Sequence, residues 1–318
     1  MSEFNLIETY FSWSDTASSV IKGVGDDAAI IDIPNDKYLV TSVDTSIAGV
    51  HFPIETPAID IGHKSLAVNL SDLAAMGATV KWFTLALTLP SFDKPEDTQW
   101  LEDFSRGLKT LANQAACDLI GGDTTQGALS ITIQVMGVVD KGTALLRSGA
   151  KVGDLIYVTG TLGDAAIGLA TIIGDLKIKH LSDLDYCQDR LNKPTARIVE
   201  SKIIKQFASS CIDISDGLLQ DLGHVLKASQ VGASLNTREI PLSPALSRIN
   251  RTIAMQAALS GGDDYELLFT IPQSCNVDFL ETVNVNVTCI GKINQNISII
   301  MDENGDPLKA SGYNHFNG

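Results

Sequence analysis

Residues 60–89, DIGHKSLAVNLSDLAAMGATVKWFTLALTL, change their period halfway along, and that change decides the fold class. From Asp60 to Met76 the apolar residues Ile61, Leu66, Val68, Leu70 and Leu73 recur at helical spacing, and Gly77 is a natural residue to end the helix. Asn69 and Asp72, three apart, share one face of it. Phe83 to Leu89 then reads as a strand. Upstream, Ala29–Ile33 and Tyr38–Val43 read as two strands joined in a hairpin by Pro34-Asn35-Asp36, with Asp26 and Asp27 just before it and Asp44 at a strand end. Downstream come a helix from Pro95 to Ala116, a short strand Leu119-Ile120 running into Gly121-Gly122-Asp123, and a strand from Leu129 to Val139. Helices on one side of a mixed sheet, an α+β (α/β layered) arrangement, accommodate that order.

The pattern breaks into small polar residues at Arg147–Asp154, which predicts two domains, 1–148 and 149–318. In the second, strands are expected at Leu155–Thr159, Tyr265–Ile271, Thr288–Ile293 and Ile297–Met301, and helices near Asp164–Ile173, Thr195–Phe207 and Leu218–Ala228. At 318 residues with 44% hydrophobic content the chain can furnish a core for each domain.

Charge narrows the function. Twenty-three basic against 38 acidic residues give a net charge of −15, which repels nucleic acid and anionic lipid rather than recruiting them. Five widely separated cysteines with no CxxC pair argue against a disulfide framework or a structural zinc and for a reducing cytoplasm. The opening stretch lacks the basic and apolar regions of a signal peptide, and no window has the length of a membrane span.

Six short acidic segments carry the chemistry: Gly25-Asp26-Asp27, Ser42-Val43-Asp44, Ser71-Asp72, Gly121-Gly122-Asp123, Asp213-Ile214-Ser215-Asp216 and Gly261-Gly262-Asp263-Asp264, all read as tight loops. Mg²⁺ takes oxygen ligands and is usually held by one or two carboxylates together with substrate phosphates. Two like charges about 4 Å apart repel by roughly 4 kcal/mol at an effective dielectric near 20, so phosphates enter such a site only with cations between. The bland reading stays open beside this one: Asp26, Asp36, Asp60 and Asp154 taken singly are turn or cap residues, and Asp164 after Gly163 is most simply an N-cap. His51 follows a strand and could reach a phosphate, or be structural; Arg147 could clamp a phosphate bidentately, or form a surface ion pair. GxxxxGK[ST] and the paired HRD and DFG motifs are absent, and Asp44-Thr45-Ser46 lacks the second acid of a DxD phosphatase.

In chain order, GVGDD (23–27), SVDT (42–45), NLSDLAAMGA (69–78), LIGGDTT (119–125), RSGA (147–150), DISDGL (213–218) and SGGDDYEL (260–267) closely resemble the thiamine-monophosphate kinase family, within the superfamily of aminoimidazole ribonucleotide and selenophosphate synthetases. The resemblance spans nearly the whole chain. It implies Mg²⁺-dependent, in-line transfer of the γ-phosphoryl group of ATP onto thiamine monophosphate, the last step of thiamine diphosphate biosynthesis. It also implies a homodimer whose N-terminal ATP/Mg domains join their sheets into a β-barrel with outer helices, and a C-terminal α/β domain over the nucleotide and substrate. Position by position, Asp27, Ser42, Val43 (through its carbonyl), Asp44, Asp72, Asp123 and Asp213 match metal ligands, with Asp216 at a further ion. Gly122, Asp123, Arg147 and Ser215 match ATP contacts, and His51 and Asp263 match thiamine monophosphate contacts. Asp44 and Asp72 are expected to bridge the metals nearest the transferred phosphate. Two positions depart from the family: Asp263 stands where it often has Glu, and Ala310-Ser311 where a substrate-stacking aromatic is expected, with Tyr313 or Phe316 as substitutes. A phosphate-monoester acceptor is already anionic, so no general base is required. The alternatives are a superfamily synthetase, although a selenophosphate synthetase would carry a reactive Cys near its N-terminus and the first here is Cys117, and a cation- or nucleotide-binding protein without turnover.

Overall fold

The computed structural model describes residues 3–13, 17–22, 24, 29–90, 95–282 and 284–309, so Asp26, Asp27, Ala310, Ser311, Tyr313 and Phe316 lie outside the described residues. The chain divides into two compact units, Met1–Leu73 with Ala78–Gly142, and Ala74–Gly77 with Thr143–Gly318.

The first unit runs α1 (Glu3–Tyr10), β1 (Val20–Lys22), β2 (Ile30–Ile31), β3 (Lys37–Ile47), α2 (Ala58–Ala75), β4 (Thr79–Leu89), α3 (Pro95–Ala115), β5 (Asp118–Gln126) and β6 (Ser130–Asp140). Its main sheet has the order β3-β6-β4-β5, antiparallel except for the parallel β4/β5 pair. The mixed sheet expected from the sequence is therefore present. The hairpin expected across Pro34-Asn35-Asp36 is not: β2 pairs with β1, and β3 pairs along its whole length with β6. Thr45, Ser46 and Ile47 extend that ladder opposite Thr132, Ile131 and Ser130, so Asp44 sits inside the strand rather than at its end. β-branched residues on both sides of the pair favour the longer strand.

α2 ends in a Schellman turn. Gly77, at φ 66°, donates to the Ala74 carbonyl and Ala78 donates to that of Leu73, each at 2.9 Å, which satisfies two otherwise orphaned carbonyls. Helix α2 lies on the sheet face that carries the buried Ile131, Ile133, Val135 and Leu85, where Leu73 meets Gly137. Helix α3 crosses α2 closely: a Cβ on Gly107 would stand 1.9 Å from the Ile59 carbonyl, and one on Gly62 would stand 2.1 Å from that of Phe104. The other face is covered in part by the β1/β2 ribbon, with Val20 and Ile31 packed on Trp82, Ile120 and Val138. The alternate residues of β3, Leu39, Thr41, Val43, Thr45 and Ile47, remain exposed.

The second unit runs β7 (Leu155–Thr159), α4 (Asp164–Ile172), α5 (Leu181–Asn192), α6 (Ile198–Ile204), β8 (Ser210–Asp213), α7 (Leu218–Ser229), β9 (Gly232–Leu235), α8 (Arg251–Ser260), β10 (Leu267–Ile271), α9 (Asn276–Thr282), β11 (Val287–Asn294), β12 (Ile300–Met301) and β13 (Pro307–Leu308). Its seven-stranded sheet has the order β13-β12-β9-β11-β7-β10-β8, antiparallel throughout but for β9/β12. Ile156 and Val158 of β7 face a core with Leu218, Leu222 and Val225 of α7, while Tyr157 packs on the other side with Phe269 and Phe279. Both faces are covered, so β10 is buried at every position and lacks the alternation that marks a half-exposed strand. Helices α5, α8 and α9 and strands β8, β9 and β13 have no counterpart in the sequence expectation. β8 and β9 are four residues each and β13 two, too short for periodicity to register.

Candidate active site

In the first unit the sequence-predicted acids on β3 and α2 converge. Ser42 donates from its hydroxyl to Asp72 Oδ2 at 2.6 Å, and the Asp44 N–H, on the open edge of β3, donates to Asn69 Oδ1 at 3.1 Å. Asn69 returns its Nδ2–H to the Ser65 carbonyl one turn back, at 2.9 Å, which fixes which way its amide points. Although Asp44 reaches the surface, desolvation of its carboxyl pushes its pKa up to about 6, aided by the negative charge of Asp72 and by the hydrogen bond between the two carboxyls. Below that pH a proton shared by the two carboxyls relieves a repulsion that is felt when both are ionised. This is a place a hard cation can take, because Ser42, Asp44 and Asp72 supply only oxygen ligands. Among the described residues no three His, Cys, Asp or Glu side chains are arranged to hold a metal ion by themselves, and what β3 and α2 bring together is a carboxylate pair with a hydroxyl.

Gly122 and Asp123 are not on a loop: β5 extends through them, pairing with Leu85 and Ala86 of β4. Parallel pairing with β4 over Leu119–Gln126 overrides the turn composition of Gly-Gly-Asp. Ser71 and Asp72 lie inside α2, where the helical spacing of residues 60–76 puts them, and Ser42–Asp44 lie inside β3 rather than on a turn. Asp44, Ile133, Leu85 and Gly122 share one row across the sheet, which places β5 at the edge opposite β3, about 14 Å away at ordinary strand spacing. His51 sits in the turn after β3, where its Nδ1 accepts the Ile47 N–H at 3.0 Å, leaving Nε2 as the protonated nitrogen of a neutral ring.

In the second unit the DISDG and SGGDDYE segments are adjacent. Asp213 ends β8, paired with Leu267. The Ile214 N–H donates to the Glu266 carbonyl at 2.8 Å, the Tyr265 N–H to that of Ile214 at 2.8 Å, and the Asp263 N–H to that of Ser215 at 2.9 Å. One oxygen of the buried Asp221 accepts the N–H groups of Ser215, Asp216 and Gly217, each at 3.1 Å. Burial, then the charge of Asp216, raises the Asp221 carboxyl to about 7 against the opposing pull of those three bonds. Asp216 is held at Oδ2 by the Gln220 amide (2.8 Å), and Asp263 at Oδ1 by the Tyr265 hydroxyl (2.9 Å). Arg147 is exposed, on a segment fastened by the Ser229 hydroxyl, which donates to its carbonyl at 3.3 Å and accepts the Gly149 and Ala150 N–H groups.

Two acids read as ordinary turn or cap residues have more specific partners. Asp164 does not cap α4: Gly163 holds that position, and the fully buried Asp164 accepts from Thr161 and Ser243. Asp154 is buried and accepts the Lys151 N–H and the Ser209 hydroxyl. Sequence reasoning missed Asn69 as the partner of Asp44, Asp221 behind the DISDG loop, and Asp264, Glu266 and Arg190 behind SGGDDYE. Only Asn69, three residues before Asp72, left a legible signal.

Residues 25–139 match the family model for the AIR synthase related protein N-terminal domain, and residues 151–296 that for its C-terminal domain. The thiamine-monophosphate kinase of Escherichia coli K12 is 46% identical over 323 residues, covering 99% of this chain and 98% of its own. The crystal structure of the Stenotrophomonas maltophilia K279a thiamine-monophosphate kinase superposes with a TM-score of 0.84 at 42% identity, over 92% of this chain and 93% of that one. AaThiL complexed with AMPPCP and TMP superposes with a TM-score of 0.79 at 30% identity, over 93% of this chain and 92% of that one. Full-length identity of this order, joined to a matching fold, places the chain in the thiamine-monophosphate kinase family of AIR synthase related proteins.

Proposed function

We propose that this chain is an ATP-dependent kinase that transfers the γ-phosphoryl group directly onto the phosphate of thiamine monophosphate, yielding thiamine diphosphate and ADP. The observation that carries the reading is the Ser42–Asp44–Asp72 oxygen cluster, in a family one of whose members, AaThiL, binds AMPPCP and TMP. Mg²⁺ held at these residues would neutralise charge between the two phosphorylated substrates. The proposed metal ligands are Asp27, Ser42, the Val43 carbonyl, Asp44, Asp72, Asp123, Asp213 and Asp216. Gly122, Asp123, Arg147 and Ser215 bind ATP, and His51 and Asp263 bind thiamine monophosphate.

The acceptor oxygen is already anionic, so the protein has no proton to remove. Its work is alignment and charge compensation. His51, with Nδ1 taken by the Ile47 N–H, offers an Nε2–H to the acceptor phosphate. Arg147 offers a planar fork to the ATP phosphates. In this assignment residues 1–148 carry the dimer contact, most of the metal and nucleotide ligands and His51, and residues 149–318 supply the remaining metal, nucleotide and substrate contacts. Support for a homodimer built through the first unit's sheet comes from the exposed row Leu39, Val43 and Ile47 on β3. Five free cysteines favour a reducing, cytoplasmic setting.

The test is to incubate the pure protein with ATP, Mg²⁺ and thiamine monophosphate and to follow thiamine diphosphate and ADP by chromatography. Equimolar products are expected, with inversion at phosphorus when a chirally labelled γ-phosphoryl group is used. Nucleotide binding without thiamine diphosphate would instead identify a binding protein.

A further inference from the structure

The loop from Gly261 to Glu266 holds two non-glycine residues in the left-handed region, Asp263 at φ 68° and Tyr265 at φ 50°. Such conformations are costly and persist only where the surroundings over-determine them. Here the surroundings are a buried ionic assembly. The Glu266 side chain, fully inaccessible, accepts from Arg197, from the Thr159 hydroxyl at 2.6 Å and from Arg190 Nη2 at 2.8 Å. The same Arg190 nitrogen donates to the Asp264 carbonyl at 3.2 Å. Asp264 is itself buried, and its carboxyl meets the Gly163 N–H with both oxygens, at 3.0 and 2.9 Å.

We propose that Arg190, on α5, is a positioning residue for the substrate: by tying the carbonyl of Asp264 to the carboxylate of Glu266 it fixes the left-handed turn that presents Asp263 to thiamine monophosphate. This rests on the assignment of Asp263 as a substrate contact. The two arginines on Glu266 differ in kind. Arg197 grips it as a fork, with Nε on Oε2 at 2.6 Å and Nη2 on Oε1. Arg190 works through Nη2, while its Nε is buried without a hydrogen-bond partner among the described residues. An ammonium group can replace one nitrogen serving two acceptors, but it cannot replace a fork.

The experiment compares Arg190→Met, Arg190→Lys and Arg197→Lys in the full chain by steady-state kinetics and by amide hydrogen exchange of peptides covering 261–266. Arg190→Met should raise KM for thiamine monophosphate about tenfold or more, with KM for ATP within about twofold of wild type, and should speed exchange in the loop. Arg190→Lys should restore both, whereas Arg197→Lys should not. If Arg190→Met is insoluble, Arg190→Gln takes its place. Unchanged KM and unchanged exchange in the Met or Gln variant would overturn the proposal, as would a loss shared equally between the two substrates and not rescued by Lys. Wild-type protein that neither binds nor phosphorylates thiamine monophosphate would overturn the substrate assignment, while the exchange data would still decide whether Arg190 holds the loop.

Discussion

Asp44 and Asp72 occupy positions where an ionised pair is unfavourable without a counter-charge. The Asp44 carboxyl, raised from 3.8 to about 6, is protonated more readily in the folded chain than in the unfolded one. Without divalent cation this makes the protein more stable at low pH, and the contribution is lost as pH rises through about 6. Cation binding must displace that proton, so Mg²⁺ should raise the melting temperature above pH 6 and have little effect at pH 5. Asp44→Asn removes the repulsion and one ligand together. At pH 7.5 its metal-free melting temperature should equal or exceed that of wild type, its Mg²⁺-dependent shift should shrink, and its turnover should fall by about 100-fold or more. Thermal melts at both pH values with and without Mg²⁺, beside the coupled kinase assay, check all three. Near-normal turnover of the variant at saturating Mg²⁺ would remove Asp44 from the catalytic role.

At the scale of elements, the site depends on how closely α3 can press α2 onto the sheet, since α2 carries both Asn69 and Asp72. Gly107 and Gly62 permit that approach, because a Cβ at either would overlap a backbone carbonyl that cannot swing away. Gly107→Ala should destabilise by about 1–3 kcal/mol and lower turnover by displacing α2. Gly223, inside α7, has open space around the same construction, so Gly223→Ala should leave stability unchanged or raise it by about 0.5–1 kcal/mol. Urea denaturation of the pair separates crowding from helix propensity. The α2 boundaries were legible because a period of 3.6 and a terminal glycine appear together in residues 60–77. Strand β5 was read too short because Gly121, Gly122 and Asp123 look like a turn until their parallel partner β4 is known.

At the scale of the whole molecule, Leu39, Val43 and Ile47 stand exposed in the outer row of β3, with Thr41 and Thr45 between them, on an edge strand of the kind that proteins normally cover or charge. The homodimer of the proposed function would cover it. Leu39→Asp lies on this row, away from the proposed ligands, and should shift the protein from dimer to monomer in size-exclusion chromatography with light scattering. A monomeric wild type would show that the row has another use.

The order of acidic motifs along the chain determined the family. Local periodicity in residues 60–89, together with the strand patterns flanking them, determined a mixed sheet with helices on one side. These are properties of neighbouring residues, which share one stretch of backbone and so leave a regular trace. Only the tertiary structure decided that Asn69 holds the edge N–H of Asp44, that Asp221 gathers three amides of the DISDG loop, and that Arg190 joins Asp264 to Glu266 across more than seventy residues. Such contacts depend on which buried polar groups meet once the sheets are assembled, and no spacing in a linear chain encodes that meeting.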